Sequence, residues 1–191
     1  MTLSALGIFS AAGAGGIAGD YELIQTQILP GSVATTVSFT GLGSFSSTYK
    51  HLQIRYTGRT VLAASTSDAL IVRANGISTT SYAHHQLVGT GSAVESGAAT
   101  NATAMRLGRL TAANGTTNSW AAGVIDILDP YSTTKNKTFR GFSGNTSADN
   151  IVILYSGLFN NTASITQLDL SGLGASGLSA GSRFSLYGIR G

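Results

Sequence analysis

Cysteine is absent from this 191-residue chain. That excludes a disulfide scaffold, thiol chemistry and cysteine-ligated zinc, and it leaves the redox compartment open. Charge is scarce: Asp, Glu, Lys and Arg make up 10% of the residues, against roughly 25% in an average globular domain. The surface must then be built mainly from Ser, Thr, Asn and Gly. Such a surface makes few ion pairs and repels its own copies weakly, which suits close packing among other protein surfaces. The 11 cations outnumber the 8 anions, but no Lys/Arg cluster occurs, so no nucleic-acid footprint is expected. No run of about 20 good apolar helix formers is present, so no membrane span is expected. The length suits one domain, or one domain plus an extension, and it is enough for a sizeable core without metals or cross-links.

What is present begins with LGIFSAAGAGGIAGD, residues 6–20, greasy and rich in glycine. A secretory signal needs a cationic stretch ahead of its apolar run, but the first Lys or Arg is Lys50. A loose G-x-G-x-x-A pattern runs from Gly13 to Ala18. A dinucleotide site needs that turn between a strand and a helix, with an acid about 20 residues on. Here YELIQTQILP follows, which reads as a strand, and no acid lies between Glu22 and Asp68. Three readings remain: an extended arm over residues 1–19, a first edge strand of the domain's own sheet, or a frayed end. We adopt the arm, with Leu3, Leu6, Ile8, Phe9 and Ile17 as its anchors on a partner surface.

From residue 20 to 191 the pattern is one of short strands between turn signals. Expected strands cover 21–29, 33–39, 51–57, 69–73, 81–88, 104–110, 119–128, 138–142, 151–159, 165–170 and 183–189. In 51–57 the alternation is clean, with Leu52, Ile54 and Tyr56 on one face and Gln53, Arg55 and Thr57 on the other. Asn75-Gly76 and Asn114-Gly115 mark turns, and Asp129-Pro130 stops a long apolar strand. Residues 133–137 could form one short helical turn. Residues 90–103 and 170–181 read as loops, the second with enough leucine to cover its own core or a neighbour. An apolar face on each strand requires a second sheet against it. The expected fold is therefore all-β, an antiparallel sandwich of jelly-roll-like type with an extended N-terminal arm.

No motif for chemistry emerges. His84 and His85 are adjacent on a strand and point to opposite faces, so they cannot share one metal; one is expected to be packed and the other exposed. Asp126, inside the apolar VIDIL strand, needs a partner such as Arg55, Arg140 or a strand-end amide if buried, or else lies on the solvent face. Asp129 reads as a turn residue accepting local backbone amides, and an Asp126/Asp129 glycosidase pair is a distant alternative. Trp120 is expected to pack in the core. No nucleophile motif, metal pattern or cofactor-binding pattern is found, so no enzyme and no cofactor are expected.

Five segments taken together carry a likeness: YELIQTQIL, STYKHLQIRYTGR, GVIDILDPYSTTKNKTFR, YSGLFNNTASITQLDL and SAGSRFSLYGIRG. With the SALGIFSAAGAGG opening, they resemble a family of small structural proteins of tailed bacteriophages, including cyanophages. The likeness spans nearly the whole chain. Pro130-Tyr131 departs from the family's uninterrupted DYA, so that loop is expected to differ locally. The resemblance implies a jelly-roll-like virion component without catalytic residues. It would act as a capsid cement (decoration) protein across major capsid protein subunits, or as a tail-fibre, tail-tip or host-glycan-binding module. It implies location in the virion, other virion proteins as partners, and a homo-oligomer, with a trimer favoured because trimers suit three-fold capsid positions.

Overall fold

The structure is a computed structural model, and it describes residues 19–31, 33–146, 150–174 and 177–191. The arm anchors Leu3, Leu6, Ile8, Phe9 and Ile17 lie outside the described residues.

The described residues form twelve strands: β1 (Tyr21–Ile28), β2 (Val37–Phe39), β3 (His51–Gly58), β4 (Ser67–Ala74), β5 (Tyr82–Gly89), β6 (Val94–Ala102), β7 (Met105–Thr111), β8 (Ala121–Leu128), β9 (Lys137–Asn145), β10 (Ile151–Phe159), β11 (Leu168–Gly172) and β12 (Arg183–Ile189). Among the described residues there is no α-helix, only a 3-10 turn at Leu42–Phe45. The strands make two antiparallel sheets. One has eight strands in the order β1-β12-β3-β8-β9-β10-β5-β6; the other has four in the order β2-β11-β4-β7. The chain passes repeatedly from one sheet to the other, as in β3 to β4, β6 to β7 and β10 to β11. The result is the jelly-roll-like all-β sandwich that the alternation requires.

The core lies between the sheets. From the large sheet it takes Leu52, Ile54 and Tyr56 of β3, Ile125 and Ile127 of β8, and Phe184 and Leu186 of β12. From the small sheet it takes Leu70 and Val72 of β4, Leu107 and Leu110 of β7, and Leu168 and Leu170 of β11. In β9 and β10 inward and outward residues alternate without a break. The Asn75-Gly76 turn closes β4 with both residues at positive φ, 55° and 67°, the geometry that favours this dipeptide.

Several expectations are corrected. Residues 90–103 are not a loop: β6 runs through them, paired with β5 along its length. It lacks an apolar pattern because it is an edge strand held by backbone pairing, with most side chains exposed. The expected strand over 33–39 shrinks to Val37–Phe39, with Val33 exposed and Ala34 held to Leu178 by one bridge. Residues 133–137 form no helical turn. In the 170–181 stretch, Leu178 is fully buried in the chain's own core, while Leu173 is exposed.

Candidate interaction surface

The outer face of the eight-stranded sheet carries the arrangement with functional content. Strand register sets its rows. One row crosses the sheet through Ser185, Arg55, Val124, Phe142, Leu154, Leu87 and Ser96, each opposite the next. Phe142, Leu154 and Leu87 are 48, 49 and 48% exposed. Large apolar side chains standing side by side in water form a patch, which differs from the scattered apolar residues of any surface. The row on one side is small, with Ala122, Gly144 and Gly89, and holds Val152 between the glycines. It ends on Val94, the most exposed large apolar residue described, at 76%. A ridge beside small residues leaves dents. One, of about 560 Å³, lies against Val124, Phe142 and Gly144; another, of about 410 Å³, lies against Leu87, Leu154 and Ser156 on the ridge's other side.

The charges on this half cancel locally. Asp126 and Arg140 face each other in register between β8 and β9. Arg140 Nη2 lies 2.9 Å and Nε 3.2 Å from Asp126 Oδ2. The other Asp126 oxygen accepts from Gln53 Nε2 at 2.7 Å. Asp126 therefore lies on the outer face, and of its expected partners Arg140 is the one that meets it. His85 also points outward and is exposed, while His84 points into the sandwich, where burial lowers its pKa.

The other half of the face, over β1, β12 and β3, is polar and aromatic. Tyr21 and Tyr187 stack with ring centroids 4.7 Å apart, and the Arg55 guanidinium sits over both rings. Gln53 Oε1 accepts from the Tyr21 hydroxyl at 2.8 Å and from Arg55 Nε at 3.2 Å. These polar groups are already paired. The face thus divides into a polar, aromatic half and an apolar half that runs from β8 to β6, the edge strand among the described residues.

Other sequence candidates scatter. Asp129 does sit in a turn, at φ 46°, and its carbonyl accepts from Ser132 N. Its carboxylate, however, takes Lys135 Nζ at 3.0 Å instead of local backbone amides, and its own amide donates to His51 Nδ1. Lys135 holds the Asp129 carboxyl below its usual pKa. Trp120 is not a core residue: it precedes β8, is 38% exposed and lies over Gly181. A glycan-binding end would gather exposed Tyr, Trp and Asn opposite the arm. Among the described residues, the loops at that end bring Asn114, Asn118, Trp120 and Asn150 but no tyrosine. No group of three or more His, Asp and Glu among the described residues could hold a metal ion.

The apolar ridge was not foreseen from the sequence, although one signal pointed to it. IVILYSGLF is apolar on both of its faces, and a strand of that kind is normally covered on both. In the sandwich one face is covered, and no described residue covers the other. No protein-family model matches the chain, and no curated protein matches it.

Proposed function

We propose that this chain is a structural protein of a bacteriophage particle, a cement protein that binds across major capsid protein subunits and stabilises the shell. The observation that carries this reading is the outer face of the large sheet: a platform with Phe142, Leu154 and Leu87 in one exposed row, beside which Asp126 and Arg140 pair with each other. Flat apolar area with few charges is what a permanent protein contact uses. The resemblance of five blocks and the opening stretch to tailed-phage structural proteins points the same way. Residues 1–19, with anchors Leu3, Leu6, Ile8, Phe9 and Ile17, act as the attaching arm. Ordering that arm costs roughly 1–2 kcal/mol per residue of backbone, and apolar burial at about 25 cal/mol per Å² offsets only part of it. Main-chain hydrogen bonds to a partner strand supply the rest.

The test uses capsids that lack this protein. Added full-length chain is expected to decorate them, and a chain without residues 1–19 is expected to keep its melting temperature and lose attachment. Full occupancy by the shortened chain would remove the arm's role. Density for the protein in the tail of intact particles, by cryo-electron microscopy, would replace the cement reading with the tail-module one.

A further inference from the structure

We propose that the apolar half of the outer face, between β8 and β6, seats residues 3–9 of a second copy of this chain. The inference rests on the reading above in one respect, that the N-terminal segment is an attaching arm, and it concerns the protein free of capsid, where that segment and this face are both available and meet across two copies.

Reach is the first consideration. The segment joins the sandwich at Asp20, whose carbonyl accepts from Arg190 N at the start of β1. Eighteen residues precede Gly19, and in extended form they span up to about 60 Å. Eight strands at about 4.8 Å spacing make a sheet roughly 34 Å wide. The segment is therefore longer than its own sheet is wide and can pass beyond its own subunit.

Chemistry comes next. The segment holds Leu3, Leu6, Ile8 and Phe9 within seven residues and has no Asp, Glu, Lys or Arg before Asp20. The patch offers Val124, Phe142, Leu154, Leu87, Val152 and Val94, and its Asp126 and Arg140 neutralise each other. An uncharged apolar segment thus meets a mainly apolar seat, with a dent on either side of the ridge to accept side chains, one bordered by Gln53 and Arg55 and the other by His85 and Arg140. Among the described residues the outer edge of β6 pairs with no strand, so it can also hydrogen-bond an extended backbone.

The segment of the same chain is the poorer occupant. To reach the patch from β1 it would cross β12 and β3, over Tyr187, Gln53 and Arg55, which are already paired. Those residues would be ordered over polar surface with no apolar burial in return. A neighbour's segment can arrive from the β6 side instead. Arm on face joins two different surfaces, so it closes reciprocally in a pair or head to tail in a ring, such as the expected trimer.

The experiment is sedimentation velocity on full-length protein, with no capsid present. Wild type is expected to associate as concentration rises. The surface variant Phe142→Asp/Leu154→Asp and the arm variant Ile8→Asp/Phe9→Asp are each expected to weaken association at least tenfold. Their melting temperatures should be unchanged; Leu87→Ser/Val152→Thr serves if the first surface variant fails to fold. Mixing the surface and arm variants should produce a heterodimer, weaker than the wild-type assembly, because the arm of one can seat on the face of the other through a single contact. A wild type that stays monomeric, association that survives the surface change, or a mixture that stays monomeric would overturn the proposal. Capsid attachment is scored separately, so a wild type that decorates capsids yet stays monomeric on its own sinks this inference and leaves the cement reading standing.

Discussion

Two cations serve as clamps for backbone carbonyls. Arg59 Nη1 donates to Thr116 O and Ser119 O, both at 2.9 Å, and Nη2 donates to Ala113 O and Gly115 O, both at 3.0 Å. One planar guanidinium thereby sets the shape of the 113–119 loop ahead of β8, which no lysine could do with a single nitrogen. Lys137 is fully buried, and its Nζ donates to Ser132 O, Lys135 O and Thr162 O at 2.6, 2.8 and 3.0 Å. All three ammonium protons are used. Burial pulls its pKa down, while the three carbonyls favour the charged form. Arg59→Ala and Lys137→Met each leave carbonyls without their donor, and each is expected to cost about 1–3 kcal/mol of stability. Urea unfolding checks the size, and hydrogen exchange in 113–119 should rise for the Arg59 variant alone. The asymmetry between legible and hidden is plain at this scale. The opposite facing of His84 and His85 follows from strand geometry alone, but the partners of Arg59 lie more than 50 positions away and only folding brings them together.

At the scale of the element, register decides what a strand can do. Gly123 of β8 lies opposite Tyr56 of β3, and a Cβ there would meet the Tyr56 ring and hydroxyl at 2.7 Å. The ring cannot move aside freely, because its hydroxyl donates to Arg109 O and accepts from Arg109 N across the sandwich, both at 3.0 Å. Gly123→Ala should destabilise by about 1–3 kcal/mol through overpacking, seen as a lower urea midpoint at unchanged slope. A second test joins Tyr56→Phe to it: if the pinned hydroxyl is the obstacle, the double variant should lose less than the sum of the two single ones. β3, β10 and β12 were readable because alternation or continuous apolarity marks a strand between neighbours. β6 was not, since an edge strand with its side chains in water needs no apolar pattern. Trp120 was misread for a related reason: the residue just before a strand does not inherit the strand's inward facing.

Taken as a whole, the molecule is a stack of neutral hydroxyls and apolar side chains, and its response to pH should reflect that. Burial pushes the Tyr155 hydroxyl up to about 12 and raises Tyr56 further. In the unfolded chain both ionise near 10. Between about pH 10 and 12 the unfolded chain therefore holds fewer protons than the folded one, so stability falls as pH rises. The contribution is intact below pH 10 and is lost progressively above it, at about 1.4 kcal/mol per pH unit for each tyrosine. Urea midpoints measured from pH 9 to 11.5 should drop in this way, and Tyr155→Phe should flatten the decline. The sequence by itself determined the all-β class, the turns and the inward residues of most strands, because side-chain alternation and turn chemistry are local properties. It also set the low charge, which depends on composition alone. Only the tertiary structure decided that Val124, Phe142, Leu154 and Leu87 stand in one row and that Asp126 meets Arg140. Cross-strand neighbours are chosen by strand order and register, and these follow from how the two sheets close over a shared core.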